Sequence, residues 1–323
     1  MKKKLITPKK ILIGLLLLLV IFIVSLVFTI NHYMSKIERV EIDRNVVTET
    51  GKEPAKEDKD VITIALFGAD FSQNEAYGNL YGASDSTMIL GIDKKNNRLK
   101  LFSLMRDMYL DLPDGSGKQN LNYTMAYGGP ELILKTINYN FNLTVDKFIY
   151  VSLHTLPQII DRLGGVELTI TNDELNYING YISNIDNENG TTTERITSSG
   201  LQTLNGTQAS AYCRIRYTEG RDFKRTERQR DVLEALFKKF KTASIADLTS
   251  MMSDILPLVS TNLTNTEILS IATEVLSMGV TDIEQSRFPL DGKSEMILTD
   301  MYHMMIDTES TTEDIHNFLY SLN

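Results

Sequence analysis

The sequence predicts a single layered α/β domain preceded by one transmembrane helix. Three observations carry that reading. Residues 11–30 are twenty consecutive positions without a charge. The β-rich runs 87–93 and 98–104 flank a polar turn, Lys94-Lys95-Asn96-Asn97, the pattern of a hairpin. From residue 61 onward, strand-like and helix-like segments mix in one continuous block, as layered α/β domains require. At 323 residues, 42% hydrophobic and 23% charged, the chain can bury a sizeable core.

The elements follow in order. A helix over residues 11–30 would span ~30 Å, the thickness of a bilayer core. Five lysines lie in the first ten positions and none follows until Lys36, so residues 1–10 are expected in the cytoplasm. The run is longer than the apolar core of a cleaved signal peptide, and no A-x-A site follows it. Everything from Asn31 onward is then outside. Residues 31–60 are charged and poor in large apolar side chains, and are read as a stalk. The domain proper is expected over 61–323, opening with a buried strand at 61–67.

After the hairpin, Gly129-Pro130 opens an amphipathic helix reaching Phe141, with proline near its first position. A short strand at 148–153 precedes a helix at 156–163, which stops at Gly164-Gly165 before strand 166–170. Residues 171–199 are polar and read as a surface insertion. Residues 207–212 and 223–242 read as helices, and the chain beyond 243 as helical patterns ending in a helix at 311–322.

Composition excludes several functions. The chain holds 42 acidic and 33 basic residues, a net charge of −9. That balance argues against nucleic-acid binding, which needs a basic surface. A single cysteine, Cys213, excludes an intrachain disulfide and any CxxC motif, and is expected to be packed rather than reactive. The four histidines fall at no zinc-motif spacing.

Two charged constellations stand out. Hairpin geometry brings Asp85, just before the second strand, beside Arg106, just after the third. If the first strand is antiparallel to the second, Asp70 reaches the same edge. Two carboxylates and an arginine suit a hard cation and a phosphate, although turn-capping Asp and Ser residues would look the same. The second constellation is a basic island. Residues 201–230 hold Arg214, Arg216, Arg221, Lys224, Arg225, Arg228 and Arg230 against three acids. Arg221, Arg225 and Arg228 share one helical face, and Gln229 lies four after Arg225. A solvated helix face is the alternative to an anion site built from guanidinium forks.

In order and spacing these residues resemble the LytR-CpsA-Psr family of envelope proteins. The marks are Leu66-Phe67-Gly68-Ala69-Asp70, Ser84-Asp85-Ser86-Thr87, Met105-Arg106-Asp107, Leu204-Asn205-Gly206-Thr207-Gln208-Ala209, Arg214-Ile215-Arg216-Tyr217 and Asp222-Phe223-Lys224-Arg225 with Arg228-Gln229-Arg230. The resemblance covers roughly residues 61–289. It implies a central mixed or antiparallel sheet flanked by helices. It also implies transfer of an anionic glycopolymer, teichoic acid or capsular in type, from a polyprenyl diphosphate carrier to peptidoglycan outside the cytoplasmic membrane.

Carried over residue by residue, it implies that Asp70 and Asp85 hold Mg²⁺ against the diphosphate. Arg106, Arg214, Arg216 and Arg225 would grip phosphate, with Gln229 as a polar partner and Asp222 near the head group. Asp85, Arg106, Arg214 and Arg216 are thereby the expected catalytic group. Ala83 departs from relatives that carry arginine there, so either one phosphate contact is missing or Lys118 supplies a replacement. The base is left open between Asp85 and Asp107. Two rival readings share these residues: a diphosphate hydrolase, and a non-catalytic lipid- or polymer-binding regulator.

Overall fold

The computed structural model describes residues 29, 31–51, 60–69, 81–242 and 254–320. Elements are numbered in chain order, and the centre is a seven-stranded sheet ordered β1-β10-β7-β2-β3-β4-β11. β2 (Val61–Ala69), β3 (Ser84–Asp93) and β4 (Arg98–Leu104) form an antiparallel meander. Their alternating inward side chains Ala65, Phe67, Ile89, Phe102 and Leu104 join one core cluster. The expected hairpin is present, closing on the pair Asp93 and Arg98. Asp93 accepts from Asn96 N at 3.0 Å, and Asn97 takes the left-handed conformation at φ 52°. β7 (Phe148–Ser152) and β11 (Ile283–Phe288) add in parallel on opposite sides of that meander, which makes the sheet mixed.

Between these strands, β5 (Tyr109–Asp111) pairs with β6 (Lys118–Asn120) as a small hairpin, and α2 (Leu121–Phe141) lies on the sheet. The helix predicted from Gly129-Pro130 is the second half of α2. A first half begins at Leu121, and the two meet at a kink where Gly129 has φ +63°. Proline therefore does start a helical segment, its missing N–H costing nothing there. α3 (Leu156–Arg162) ends as expected at Gly164 and Gly165, with φ of +74° and +83°. A Cβ on Gly165 would meet Leu204 O at 2.7 Å, so the close approach of β9 requires glycine.

β8 (Val166–Ile170) and β9 (Gly200–Leu204) form a second small sheet. Between them, the polar stretch expected as a surface insertion holds a helix, α4 (Asn172–Asn189). Thr171 and Glu174 form a reciprocal capping box at its start, and Ile178, Ile182 and Ile185 bury one stripe. The abundance of Asn and Thr hid that i, i+4, i+7 pattern. α5 (Gly206–Arg214) and α6 (Arg221–Thr242) follow and pack on this satellite core.

Residues 31–60 do not form a free stalk over the part described. β1 (Glu38–Arg39) pairs in parallel with β10 (Val259–Thr261), and α1 (Arg44–Thr48) packs on α2 with Val47 fully buried. Asn138 Nδ2 donates to Val47 O at 2.7 Å, and Arg44 pairs with Glu267 at 2.6 Å. Glu267 lies in the first turn of α7 (Asn265–Ser277). The C-terminal part also departs from the helical reading. It holds β10, β11 and the hairpin β12 (Ser294–Leu298) with β13 (Tyr302–Ile306) before α8 (Thr308–Tyr320). The apolar run 11–30 lies almost wholly outside the described residues, among which no helix is long and apolar enough to cross a membrane.

Candidate anion-binding site

The site sits at the rim where β3 begins and β4 ends. β2 and β3 pair Gly68 with Ser86 and Ala69 with Ser84, so Asp85 is the extra residue of a β-bulge. A bulge breaks the ladder and re-aims one side chain, a device common beside active sites. Ser84 Oγ steadies it by bonding Ser86 O at 2.8 Å and Thr87 Oγ1 at 3.0 Å.

Three arginines converge on the bulged residue. Arg106 Nη1 pairs with Asp85 Oδ1, and Arg216 Nη2 lies 4.0 Å from that same oxygen. Arg225 reaches from α6 and donates through Nη1 to the Asp85 backbone oxygen at 2.8 Å. Arg225 is 2% exposed, and its Nε and Nη2 form a fork with Asp222 at 2.7 and 3.1 Å. Charge and geometry are thus shared between a paired, buried arginine that clamps backbone and more open ones that face the rim. Arg216 is the most open, its side chain 45% exposed. Arg214, at the end of α5, pairs with Glu188 at 3.1 Å.

The electrostatics follow from that crowding. Burial disfavours the charge on Arg106, but the carboxylates of Asp85, Asp107 and Asp222 outweigh it and raise its pKa. Burial lowers the pKa of Arg216, helped by the neighbouring Arg106 and Arg225 charges. Asp222 is held below the usual carboxylate range, since its hydrogen bond to Arg225 and the charges of Arg225, Arg106 and Arg216 overcome burial. Asp107 moves the other way. Burial pushes its pKa up, and Arg106 Nε, 3.6 Å away, offsets this only in part. Arg106 Nε itself is buried with no hydrogen-bond partner among the described residues.

A small cavity of about 40 Å³ lies behind Asp85, bounded by Arg214, Arg216, Arg225, Gln229, Ser210 and Cys213. Gln229 Oε1 and Ser210 Oγ are buried at this cavity without hydrogen-bond partners among the described residues. An unsatisfied buried acceptor costs about 1–3 kcal/mol, which a bound polar group would recover. Cys213 is buried, its thiol pushed up to about 12 by burial, and is packed rather than nucleophilic as the sequence suggests. Two larger clefts meet at Arg216 and Tyr217. One, of about 1120 Å³, passes Arg106, Asp107, Asp222 and the apolar Met105, Phe223, Met296 and Met304. The other, of about 530 Å³, runs past Asp85, Arg214, His154, Tyr181 and Glu188.

Most residues expected at the site therefore converge: Asp85, Arg106, Arg214, Arg216, Asp222, Arg225 and Gln229. Asp70 lies outside the described residues. Lys118 is elsewhere, paired with Asp111 at 3.2 Å across β5 and β6, and lines none of the three cavities. The replacement of a missing arginine by Lys118 is thus not what the fold builds. Arg228 does not share the rim either. It is 4% exposed and turned inward to Glu174 at 2.7 Å. Sequence reasoning missed Ser210, His154, Tyr181 and Glu188. The last two sat in the stretch taken for an insertion, where their helical phase was the available signal.

Among the described residues no three Asp, Glu, His or Cys side chains cluster as a metal centre. Asp85 offers one hard oxygen donor, its side chain 34% exposed, and both arginine contacts fall on Oδ1. One carboxylate with room beside it fits a magnesium ion, which takes one or two carboxylates and completes its shell with water and phosphate.

The fold and this rim define an α/β protein with a cluster of arginines around a bulged aspartate at one edge of a mixed sheet. The chain belongs to the LytR_cpsA_psr family, whose model matches residues 24–317. It is similar to Regulatory protein MsrR of Staphylococcus aureus strain COL, 28% identical over 301 residues, covering 91% of this chain and 85% of that one. It is also similar to the polyisoprenyl-teichoic acid–peptidoglycan teichoic acid transferase TagU of Oceanobacillus iheyensis, 28% identical over 260 residues, 78% of this chain and 73% of the relative. Among solved structures, B. subtilis TagT matches with a TM-score of 0.63 at 21% identity, covering 87% of this chain and 100% of that chain. The protein YwtF (TagT) with bound octaprenyl pyrophosphate lipid matches with a TM-score of 0.62, also at 21% identity, over 87% and 99%. These likenesses bear out the central mixed sheet flanked by helices.

Proposed function

We propose that the protein is an extracytoplasmic phosphotransferase. It moves an anionic glycopolymer from a polyprenyl diphosphate carrier onto peptidoglycan and leaves a phosphodiester. The observation that carries this is the bulged Asp85, ringed by Arg106, Arg216 and the backbone clamp of Arg225. The names of the TagU relatives and the lipid diphosphate held by the TagT structure support the substrate class.

In this reaction an acceptor hydroxyl attacks the sugar-linked phosphorus. The new O–P bond forms as the bridging P–O bond breaks, and polyprenyl phosphate departs. Negative charge shifts between phosphoryl oxygens, so the work is positioning and charge stabilisation. Arg216 and Arg214 supply exposed guanidinium donors to the phosphoryl oxygens. Arg106 does the same from the β4 side, held in place by Asp85. Asp107 is the better candidate for the base that accepts the hydroxyl proton. Burial raises its pKa, and it faces the open cleft, whereas Asp85 Oδ1 is occupied by Arg106. Asp85, with Asp70, would hold Mg²⁺, which when bound neutralises diphosphate charge.

Residues 11–30 would anchor the chain with its N-terminus inside and this domain outside. A reporter fused after Asn323 should be active outside the membrane, and a cytoplasmic signal would overturn that topology. The function is tested with the full-length protein in detergent, Mg²⁺, a polyprenyl diphosphate-linked saccharide and peptidoglycan oligomers, read by mass spectrometry. A phosphodiester-linked glycan that vanishes with Arg106→Ala is the expected result. Release of polyprenyl phosphate without attachment would make it a hydrolase. Carrier binding without turnover would make it a binding regulator.

A further inference from the structure

The chain enters the domain at the rim that carries Asp85. One row of paired residues crosses the sheet from Glu38 in β1, by way of β10, through Tyr150, Phe67 and Thr87 to Leu104 and Phe288. Asp85 lies two before Thr87 and Arg106 two after Leu104, so the row marks the rim. β1 runs opposite to β2, which ends at that rim, so the residues before Glu38 emerge on the same side. Ile30, the end of the apolar run, is eight positions before Glu38, a reach of at most ~28 Å when fully extended. A helical turn shortens it, with Ser35 N bonded to Asn31 O at 3.0 Å, and Met34 and Ile37 are buried. The segment is docked, and it keeps the rim close to whatever holds residues 11–30.

The hairpin β12–β13 docks at the other end of that rim. Met304 N donates to Asp107 O at 2.7 Å, and Asn120 Nδ2 to Tyr302 O at 2.8 Å. His303 turns inward to Asn120 at 2.6 Å. The other face carries Met296, Leu298 and Tyr302, which are 48%, 64% and 61% exposed, and Leu298 and Tyr302 pair across the strands. Such an uncovered apolar face on a two-stranded hairpin marks a contact surface. Across the cleft stand Tyr217 and Arg221, both exposed. We propose that this hairpin is a second membrane contact, resting on the lipid surface that holds residues 11–30. The inference rests on reading those residues as an anchor. Leucine and methionine suit the acyl boundary, and tyrosine and arginine the headgroup zone. The exposed acids Glu295 and Asp300 keep the contact shallow. β4 lies five strand spacings from β1, about 24 Å, so the anchor and the hairpin straddle Asp85 and Arg106. One contact would let the domain pivot. Two turn the arginine rim to the bilayer surface, where the phosphates of a lipid-linked diphosphate lie.

The chain contains no tryptophan, so a single introduced one reports its own surroundings. The test places full-length Leu298→Trp in nanodiscs of phosphatidylcholine and phosphatidylglycerol, with or without bromine on the upper acyl carbons. The control is Leu276→Trp on α7, 70% exposed, beside Val275 and Met278, which pack with Leu99 at the opposite end of the sheet. Brominated lipid should cut the Leu298→Trp emission at least about twofold, because an interfacial contact sinks to the headgroup–acyl boundary. Met296→Trp, two residues along the same face, should be quenched as well, and Leu276→Trp should not. If the protein enters the discs and neither hairpin tryptophan is quenched, the proposal falls and the anchor reading stands. Equal quenching of Leu276→Trp overturns it too, since the rim would then have no preferred orientation. Emission that follows protein concentration instead of bromolipid would make the face a contact between copies and also overturns it. A full-length chain that does not enter the discs removes the anchor reading and takes the proposal with it.

Discussion

Arg228→Met should destabilise the protein severely, because it strips a partner from a buried charge. Arg228 and Glu174 are 4% and 8% exposed at their side chains, with Nε donating to Oε1 at 2.7 Å. The other Glu174 oxygen accepts from Thr171 N and Oγ1, both at 2.9 Å, so the carboxylate is fixed and cannot swing to water. Removing one member of such a pair costs about 3–5 kcal/mol. At roughly 2–4 °C per kcal/mol for a domain of this size, the melting temperature should fall by about 10 °C. Removing the charge as well, in Arg228→Met with Glu174→Gln, should recover much of that loss. Arg228 also donates to Ile215 O at 3.0 Å and Thr218 Oγ1 at 2.5 Å, the residues on either side of Arg216-Tyr217. The single variant should therefore lose turnover beyond what its unfolded fraction explains. Urea and thermal denaturation measure the first effect, and kcat on folded protein the second. A loss under about 1 kcal/mol, or a double variant no more stable than the single, would refute the claim that the charge is locked inside.

Arg106→Ala should cut transfer at least about 100-fold with little change in melting temperature; retained activity in an unfolding protein would reverse the assignment. Asp85→Asn should move the Mg²⁺ response about tenfold to higher concentration, and an unchanged titration would remove Asp85 from the metal. Glu267 is held down to about 2 by its hydrogen bonds from Arg44 and from Thr264, against burial. Its stabilisation is therefore complete above its unfolded pKa of about 4.5 and disappears as pH falls from there toward 2. Glu267→Gln should cost stability at pH 7 and very little at pH 2, measured by urea unfolding at both. A chain starting at Val61 should be about 3–6 kcal/mol less stable than one starting at Asn31, since it uncovers the Val47 site and leaves Asn138 Nδ2 with one acceptor fewer. Equal urea midpoints would restore the stalk reading.

What was legible in the sequence was what short-range rules encode. The 87–104 hairpin, the glycine stop at 164–165 and the proline start at 130 depend on neighbours a few residues away. The hairpin alone brings Asp85 to Arg106, because antiparallel pairing fixes which strand ends meet. The strands β1, β10 and β11 were not legible for the opposite reason. Glu38–Arg39 is two charged residues, and it becomes a strand only because β10, more than 200 positions away, offers an edge. The helix α4 was hidden by composition: its Asn and Asp content favours turns, and three isoleucines in phase outweigh that preference once a core is present.

The basic island of residues 201–230 illustrates where such reading stops. In sequence its arginines are equivalent, and helical spacing even groups Arg225 with Arg228. The fold sorts them by which acid each one meets. Arg225 is neutralised by Asp222 and Arg228 by Glu174, and Arg230 donates to Ser103 and Gln285 inside the sheet–helix interface. All three are 5% exposed or less, and their contacts hold the β3 bulge, the Arg216 segment and helix α6 in register. Arg216 is left half exposed, 4.0 Å from the carboxylate oxygen it shares with Arg106. A cation that the protein does not neutralise for itself, held by others that it does, is the arrangement an incoming phosphate needs. A charge count cannot make that distinction, because it depends on burial and partner rather than on residue type.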